Sequence, residues 1–75
     1  MENARIAEVL EEIAGLLDMQ GGAGFRARAY RNAARLIRAY PRRIADLVAA
    51  GEDLTALPGI GKSTAAKIAD LVTAV

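Results

Sequence analysis

The residues best suited to chemistry lie in Leu57-Pro58-Gly59-Ile60-Gly61-Lys62-Ser63-Thr64, which runs directly into the helix-forming Ala65-Ala66-Lys67-Ile68. Pro58 fixes one backbone angle, while Gly59 and Gly61 accept positive φ or let a partner lie against the chain with no Cβ in the way. The first N–H groups of the following helix, from about Gly61 to Thr64, lack intrahelical acceptors and sit at the positive end of its dipole. An anion is the natural occupant of such a place. Lys62 and the hydroxyls of Ser63 and Thr64 add donors suited to a phosphate oxygen. The same stretch can also be read as a tight turn between helices that serves geometry alone. A nucleotide-binding P-loop is excluded, because its spacing requires Gly where this chain has Ala56, and no strand pattern leads into it.

A second set of residues carries positive charge. Arg28, Arg31, Arg35 and Arg38 recur at spacings of three, four and three, which places them in one stripe along a helix. With Arg26, Arg42 and Arg43 they make seven arginines from Arg26 to Arg43 without an intervening acid, a segment of net charge +7. Met1 to Phe25 carries five acids against one Arg, net −4, and Ile44 to Val75 carries four acids against two Lys, net −2. Such a stripe can follow a nucleic-acid backbone, each neutralised phosphate adding a salt dependence of slope roughly −0.9 on duplex or −0.7 on single strand. A solvated face, or pairing with the acids of the first helix, is the alternative. Tyr30 and Tyr40 can anchor the core with their hydroxyls at its rim.

The elements that must position these groups are helical. At 75 residues the chain is one domain with a small core, and its 53% hydrophobic residues include only three aromatics. This composition suits an all-α fold of thin, closely packed helices. With no Cys and no His, disulfides, zinc sites and catalysis by thiolate or imidazole are excluded. The acidic, amphipathic start differs from a signal peptide, and no apolar run approaches a membrane span, so the chain reads as cytoplasmic.

Periodicity predicts a first helix over 4–18, with Ile6, Val9, Leu10, Ile13, Leu16 and Leu17 inward, and a loop over 21–24. The second helix is predicted from Phe25 to Ala39, with Phe25, Ala29, Ala33, Leu36, Ile37 and Tyr40 inward. Pro41 is expected to end it and to start a third helix, which carries Ile44, Leu47 and Val48 and finishes at Gly51. A short turn over 52–57 and a last helix to about Thr73, burying Ala65, Ile68, Leu71 and Val72, complete the chain.

LPGIG followed by an Ala-rich helix resembles the helix-hairpin-helix motif, which in its family grips DNA backbone phosphate through hairpin N–H groups. More specifically, FRARAYRNAARLIRAYP followed by LPGIGKSTAAKIADLV is similar to the N-terminal domain of family X DNA polymerases, the polymerase β-like group, over essentially the whole chain. The resemblance implies one compact domain of four or five helices over 1–75, with the hairpin unit at about 52–74. It implies docking on gapped or nicked DNA at a 5′-phosphate, through Gly59, Ile60, Gly61, Lys62, Ser63, Arg26, Arg28, Tyr30, Arg31, Arg35 and Arg38. Phe25 falls where some members stack a histidine on a base, although core packing suits it equally.

The resemblance further implies a Na⁺ or K⁺ held by the backbone carbonyls of Thr55, Leu57 and Ile60, with no organic cofactor. Lys67 falls on the lysine that, in lyase-active members, forms a Schiff base with a 5′-deoxyribose phosphate. On its own spacing Lys67 is equally a surface residue able to pair with Asp70. This chain departs from lyase-active relatives by having Ser63 in place of a second lysine and Ala66 in place of an acid. The polymerase and other catalytic domains would belong to the same parent chain, since the magnesium-holding carboxylates of a palm domain have no room here. The close at Leu71-Val72-Thr73-Ala74-Val75 reads as the edge of an excised piece. A helical protein-interaction module, using the acidic first helix as its face, is the rival reading.

Overall fold

The computed structural model describes residues 1–21 and 24–74. Gly22 and Ala23 of the expected 21–24 loop, and Val75 at the close of the chain, lie outside the described residues. The described residues form four α-helices, a short 3-10 turn and no strand, in agreement with the all-α expectation.

The fold begins with small side chains. Ala7 and Ala14 on α1 (Asn3–Gln20) and Ala27, Ala33 and Ala34 on α2 (Gly24–Ala39) are all fully buried. Such positions let two helix backbones approach closely, and α1 and α2 make the largest interface in the molecule. Ile6 and Leu10 of α1 and Ile37 of α2 are fully buried in the same cluster. Each contributes about 1.5–3 kcal/mol from apolar burial.

Ion pairs show the direction of this packing. Arg38 donates to Glu11 at 2.8 Å, and Arg31 donates to Asp18. Seven residues separate the partners on each helix, nearly two turns, and they are matched in opposite order, so the helices are antiparallel.

Two expected inward faces are corrected by the same packing. Leu16 is 59% exposed, because Ala7 and Ala14 occupy the side of α1 that meets α2 and rotate Leu16 outward. On α2 the buried set is Ala27, Tyr30, Ala33, Ala34 and Ile37, while Phe25 stands 76% exposed and Leu36 and Tyr40 are only half-buried. The inward face is turned toward the alanines, which leaves the single Phe outside the core.

The third helix, α3 (Ile44–Ala49), starts three residues after Pro41 rather than at it. The cause is Asn3, a residue that periodicity did not single out. Its Nδ2 donates to the Arg42 carbonyl at 2.7 Å, and its Oδ1 accepts the Ile44 N–H at 2.8 Å. One side chain at the start of α1 thus closes the α2–α3 connection and caps α3, whose own N-cap residue Arg43 supplies no side-chain bond.

At the far end of α3, Gly51 takes φ +76° and completes a Schellman motif. The Gly51 N–H donates to Val48 and the Glu52 N–H to Leu47, both at 3.0 Å. Leu54, in the 3-10 turn Leu54–Ala56, then returns to the core, and α4 (Lys62–Thr73) lies across the bundle with Ile68 fully buried. Ala65, Leu71 and Val72, expected inside, are partly buried against that core.

Replacing Asn3 with Ala leaves the Ile44 N–H without its acceptor and should lower stability by about 1–2 kcal/mol, as measured by denaturant unfolding. Glu11 gives a pH signature. The hydrogen bond from Arg38, with a smaller contribution from its charge, holds this carboxyl below its ordinary value of 4.5. Because the folded-state value is the lower one, this contribution is intact above about pH 4.5 and is lost as pH falls through the folded value. Melting curves across that acid range should fall more steeply for the wild type than for Glu11→Gln.

Candidate nucleic-acid interface

The hairpin that links the 3-10 turn to α4 is fully accounted for by local chemistry. Pro58 and Gly59 are the two central residues of a type II β-turn, in which Gly59 takes φ +87° and the Ile60 N–H donates to the Leu57 carbonyl at 3.2 Å. On either side, Leu54 and Ile60 are only 5% and 4% exposed. These two buried side chains hold the turn against the core, so its tip is presented in a fixed position.

After the turn comes an uncapped helix end. The first backbone bond of α4 runs from Ala65 N–H to the Gly61 carbonyl at 2.9 Å, which leaves the N–H groups of Gly61, Lys62, Ser63 and Thr64 without backbone acceptors. Gly61, as N-cap, offers no side-chain acceptor, and the first turn carries no acid. Instead it begins with Lys62, a charge of the wrong sign for the helix dipole. Donors and positive charge accumulate here without a partner.

The two glycines have different reasons to be glycine. Gly59 needs its positive φ. Gly61 has φ −89° and ψ 178°, ordinary extended backbone, and a Cβ there would meet nothing within 4 Å. Neither conformation nor crowding within the chain demands a glycine at this position.

The N-terminal turn of α2 faces the N-terminus of α4. Phe25, Arg26 and Tyr30 from α2, with Gly61, Lys62 and Ser63 from α4, line one concavity of about 270 Å³. These six residues, drawn from two motifs some thirty positions apart, are brought together. Ala29 and Thr64 also line it. Ala29, one turn from Phe25, was missed as a site residue, and its small size one turn along from an aromatic is the only signal the sequence offered. Thr64 is only 4% exposed where it lines the concavity, so Ser63 carries the more exposed hydroxyl. Tyr30 is 7% exposed and serves the core and the concavity at once.

The other candidates fall elsewhere. The stripe divides: Arg31 and Arg38 pair with α1, while Arg28 and Arg35 are exposed with no acid partner among the described residues. Arg42 lies 3.7 Å from Glu52 and Arg43 2.9 Å from Glu2. Lys67 is half-buried one turn beyond Ser63, outside the lining of the concavity, and forms no ion pair with Asp70.

Among the hairpin carbonyls, those of Thr55 and Ile60 accept no backbone N–H, and that of Leu57 accepts only Ile60. For Thr55 the residue three further on is Pro58, which has no N–H to give. Oxygens in this state suit a hard cation. Nearby, Asp53 accepts the Thr55 hydroxyl at 2.6 Å and the Thr55 N–H at 2.9 Å. These bonds, with a smaller contribution from the Lys62 charge, hold its carboxyl below 3.8. A second hollow of about 310 Å³ lies between the end of α3 and α4, lined by Val48, Leu54, Ala65 and the acids Glu52 and Asp53. Its sign is wrong for phosphate.

An all-helical domain that uses a buried-anchored LPGIG turn to hold free N–H groups at a helix mouth is a helix-hairpin-helix module. The match to the family model for the helix-hairpin-helix domain extends over residues 1–74, and the chain belongs to that family. Membership points to DNA as the general class of ligand. No curated protein and no solved structure matches the chain. No helix among the described residues is long and apolar enough to cross a membrane.

The difference between the glycines is testable on stability alone. Gly59→Ala forces a Cβ into positive φ and should cost about 1–2 kcal/mol. Gly61→Ser places a good N-cap residue in open space and should change stability by no more than about 0.5 kcal/mol, in either direction.

Proposed function

We propose that this domain docks gapped or nicked DNA at its 5′-phosphate, as the DNA-binding module of a family X-type repair polymerase. The observation that carries the reading is the concavity itself. It gathers Phe25, Arg26 and Tyr30 of one motif and Gly61, Lys62 and Ser63 of the other around a helix end whose donors are free.

In this reading a terminal phosphate sits against the N–H groups of Lys62 and Ser63, with the Ser63 hydroxyl, Lys62 and Arg26 supplying further donors. Gly61 lets the sugar–phosphate chain lie against the backbone. The exposed Phe25 ring stacks on a base at the edge of the concavity. The carbonyls of Thr55, Leu57 and Ile60 would hold a monovalent cation beside the hairpin, adding positive charge close to the phosphate. Catalytic domains for polymerisation would reside elsewhere in a parent chain.

A lyase step is the second reading, favoured by Lys67 being half-buried and without a carboxylate partner among the described residues. The neutral amine would attack the sugar C1′ aldehyde and lose water to form a Schiff base. Removal of a C2′ proton would then break the C3′–O bond, leaving a 5′-phosphate on the DNA, and water would hydrolyse the imine to free the unsaturated sugar phosphate and return the lysine amine.

Affinity for a one-nucleotide-gapped duplex, followed by fluorescence anisotropy, should drop when the 5′-phosphate is replaced by hydroxyl. It should also drop in Gly61→Ser, whose hydroxyl occupies the helix end that the phosphate needs. Equal binding of both DNAs, insensitive to salt, would instead favour a protein-interaction module. Borohydride reduction on nicked DNA carrying a 5′-deoxyribose phosphate tests the chemistry. A covalent adduct that is lost in Lys67→Ala makes Lys67 the nucleophile, and no adduct from protein demonstrably bound to that DNA removes the lyase.

A further inference from the structure

The charged side chains sort into two groups. Among the described residues, five of the ten Lys and Arg have acid partners: Arg5, Arg31, Arg38, Arg42 and Arg43. The other five are Arg26, Arg28, Arg35, Lys62 and Lys67. Arg26 and Lys62 line the concavity and Lys67 follows it on α4, which leaves Arg28 and Arg35 without an explanation.

Their placement on α2 separates them from the concavity. Arg28 is two residues before Tyr30 and therefore about 160° round the helix from it. Arg35, seven residues after Arg28, lies almost in line with it, about 10.5 Å further along the axis. Exposed Asn32 stands between them, and no acid occurs anywhere from Arg26 to Arg43 to neutralise the row. The neighbouring row, Arg31 and Arg38, is held against α1 by Asp18 and Glu11 and is not available in the same way.

We propose that Arg28 and Arg35 form a second phosphate track, which holds the duplex strand opposite the one docked in the concavity. The inference rests on the DNA-docking reading above. A row of about 10.5 Å spans about three phosphates of one strand at the axial rise of B-DNA. The row lies on the exposed flank of α2 and the concavity at its N-terminal end beside α4, so strands about 12 Å apart across a major groove can reach one site each. A short single strand cannot reach both, and this sets the test.

Salt-dependent binding of the wild type and of Arg28→Gln/Arg35→Gln is measured on a one-nucleotide-gapped duplex with a 5′-phosphate, and on a 5′-phosphorylated single strand of about six nucleotides. On the duplex the double variant should lose affinity and about 1.8 from the log–log salt slope, two contacts at about 0.9 each. On the single strand it should match the wild type. Arg28→Lys/Arg35→Lys should keep the duplex slope, which separates lost charge from lost folding. An unchanged duplex slope, or an equal loss on the short single strand, overturns the second track. Gly61→Ser is run in parallel. If it leaves duplex binding intact while the double glutamine variant loses it, the hairpin reading fails, and Arg28 and Arg35 contact duplex phosphate without being a second track. If neither variant moves, both fail.

Discussion

Close approach of α1 and α2 through alanines is the constraint on which the rest depends. Because Ala7, Ala14, Ala27 and Ala34 are buried with no bulk between the backbones, the flanks of the two helices are brought within reach of each other. Glu11 and Asp18 then meet Arg38 and Arg31, and one row of arginines is bound to the protein. The same rotation sends Phe25 outward and Tyr30 inward, which sets the composition of the concavity at the end of α2. These exposed pairs contribute little energy. Their effect is to decide which cations remain free.

The fold was legible where one residue dominates a local choice. Pro58-Gly59 specifies its turn, Gly51 ends α3, and the regular apolar spacing places α4 at nearly its observed limits. The site was legible for a related reason: free N–H groups follow from any helix start that lacks a capping side chain. What the sequence hid were decisions made between elements. Asn3 delays α3 by acting from some forty residues away, and no local pattern announces that. The division of the arginine stripe is equally non-local, since spacings of three and four place four arginines on one face but cannot say which edge of it α1 will cover. Of the inward set expected for α2, Ala33 and Ile37 are buried and Leu36 and Tyr40 pack against the core, while Phe25 stands outside. In a core this thin the alanines, not Phe25, determine which side faces in.

Lys62 and Gly61 show how local stability and ligand binding pull apart at the helix mouth. A helix start is ordinarily strengthened by Ser, Thr, Asp or Asn at the cap and by acids in the first turn. This one has Gly at the cap, Lys in the first turn and no acid. The nearest carboxylate, Asp53, is occupied by both donors of Thr55, and its proximity to Lys62 is felt only as a minor charge effect. Each choice leaves the isolated domain slightly less stable than it could be. Each also leaves a donor or a charge free for an anion from outside.

Gly61 makes that conclusion sharper than the charges alone. A glycine is usually explained by backbone angle or by close packing, and Gly59 meets the first of these tests with its φ of +87°. Gly61 meets neither, since its backbone is extended and the space beside it is open. A side chain there would harm nothing inside the protein, and a hydroxyl would satisfy one of the waiting N–H groups. Gly15 and Gly24 have the same room for a Cβ, so what sets Gly61 apart is its place at the mouth of α4. A Cβ would stand at the approach to four unpaired N–H groups, where a sugar–phosphate chain must come within hydrogen-bonding distance of the backbone to bind them. The absence of a side chain is compatible with folding alone, but it is useful only when that approach occurs.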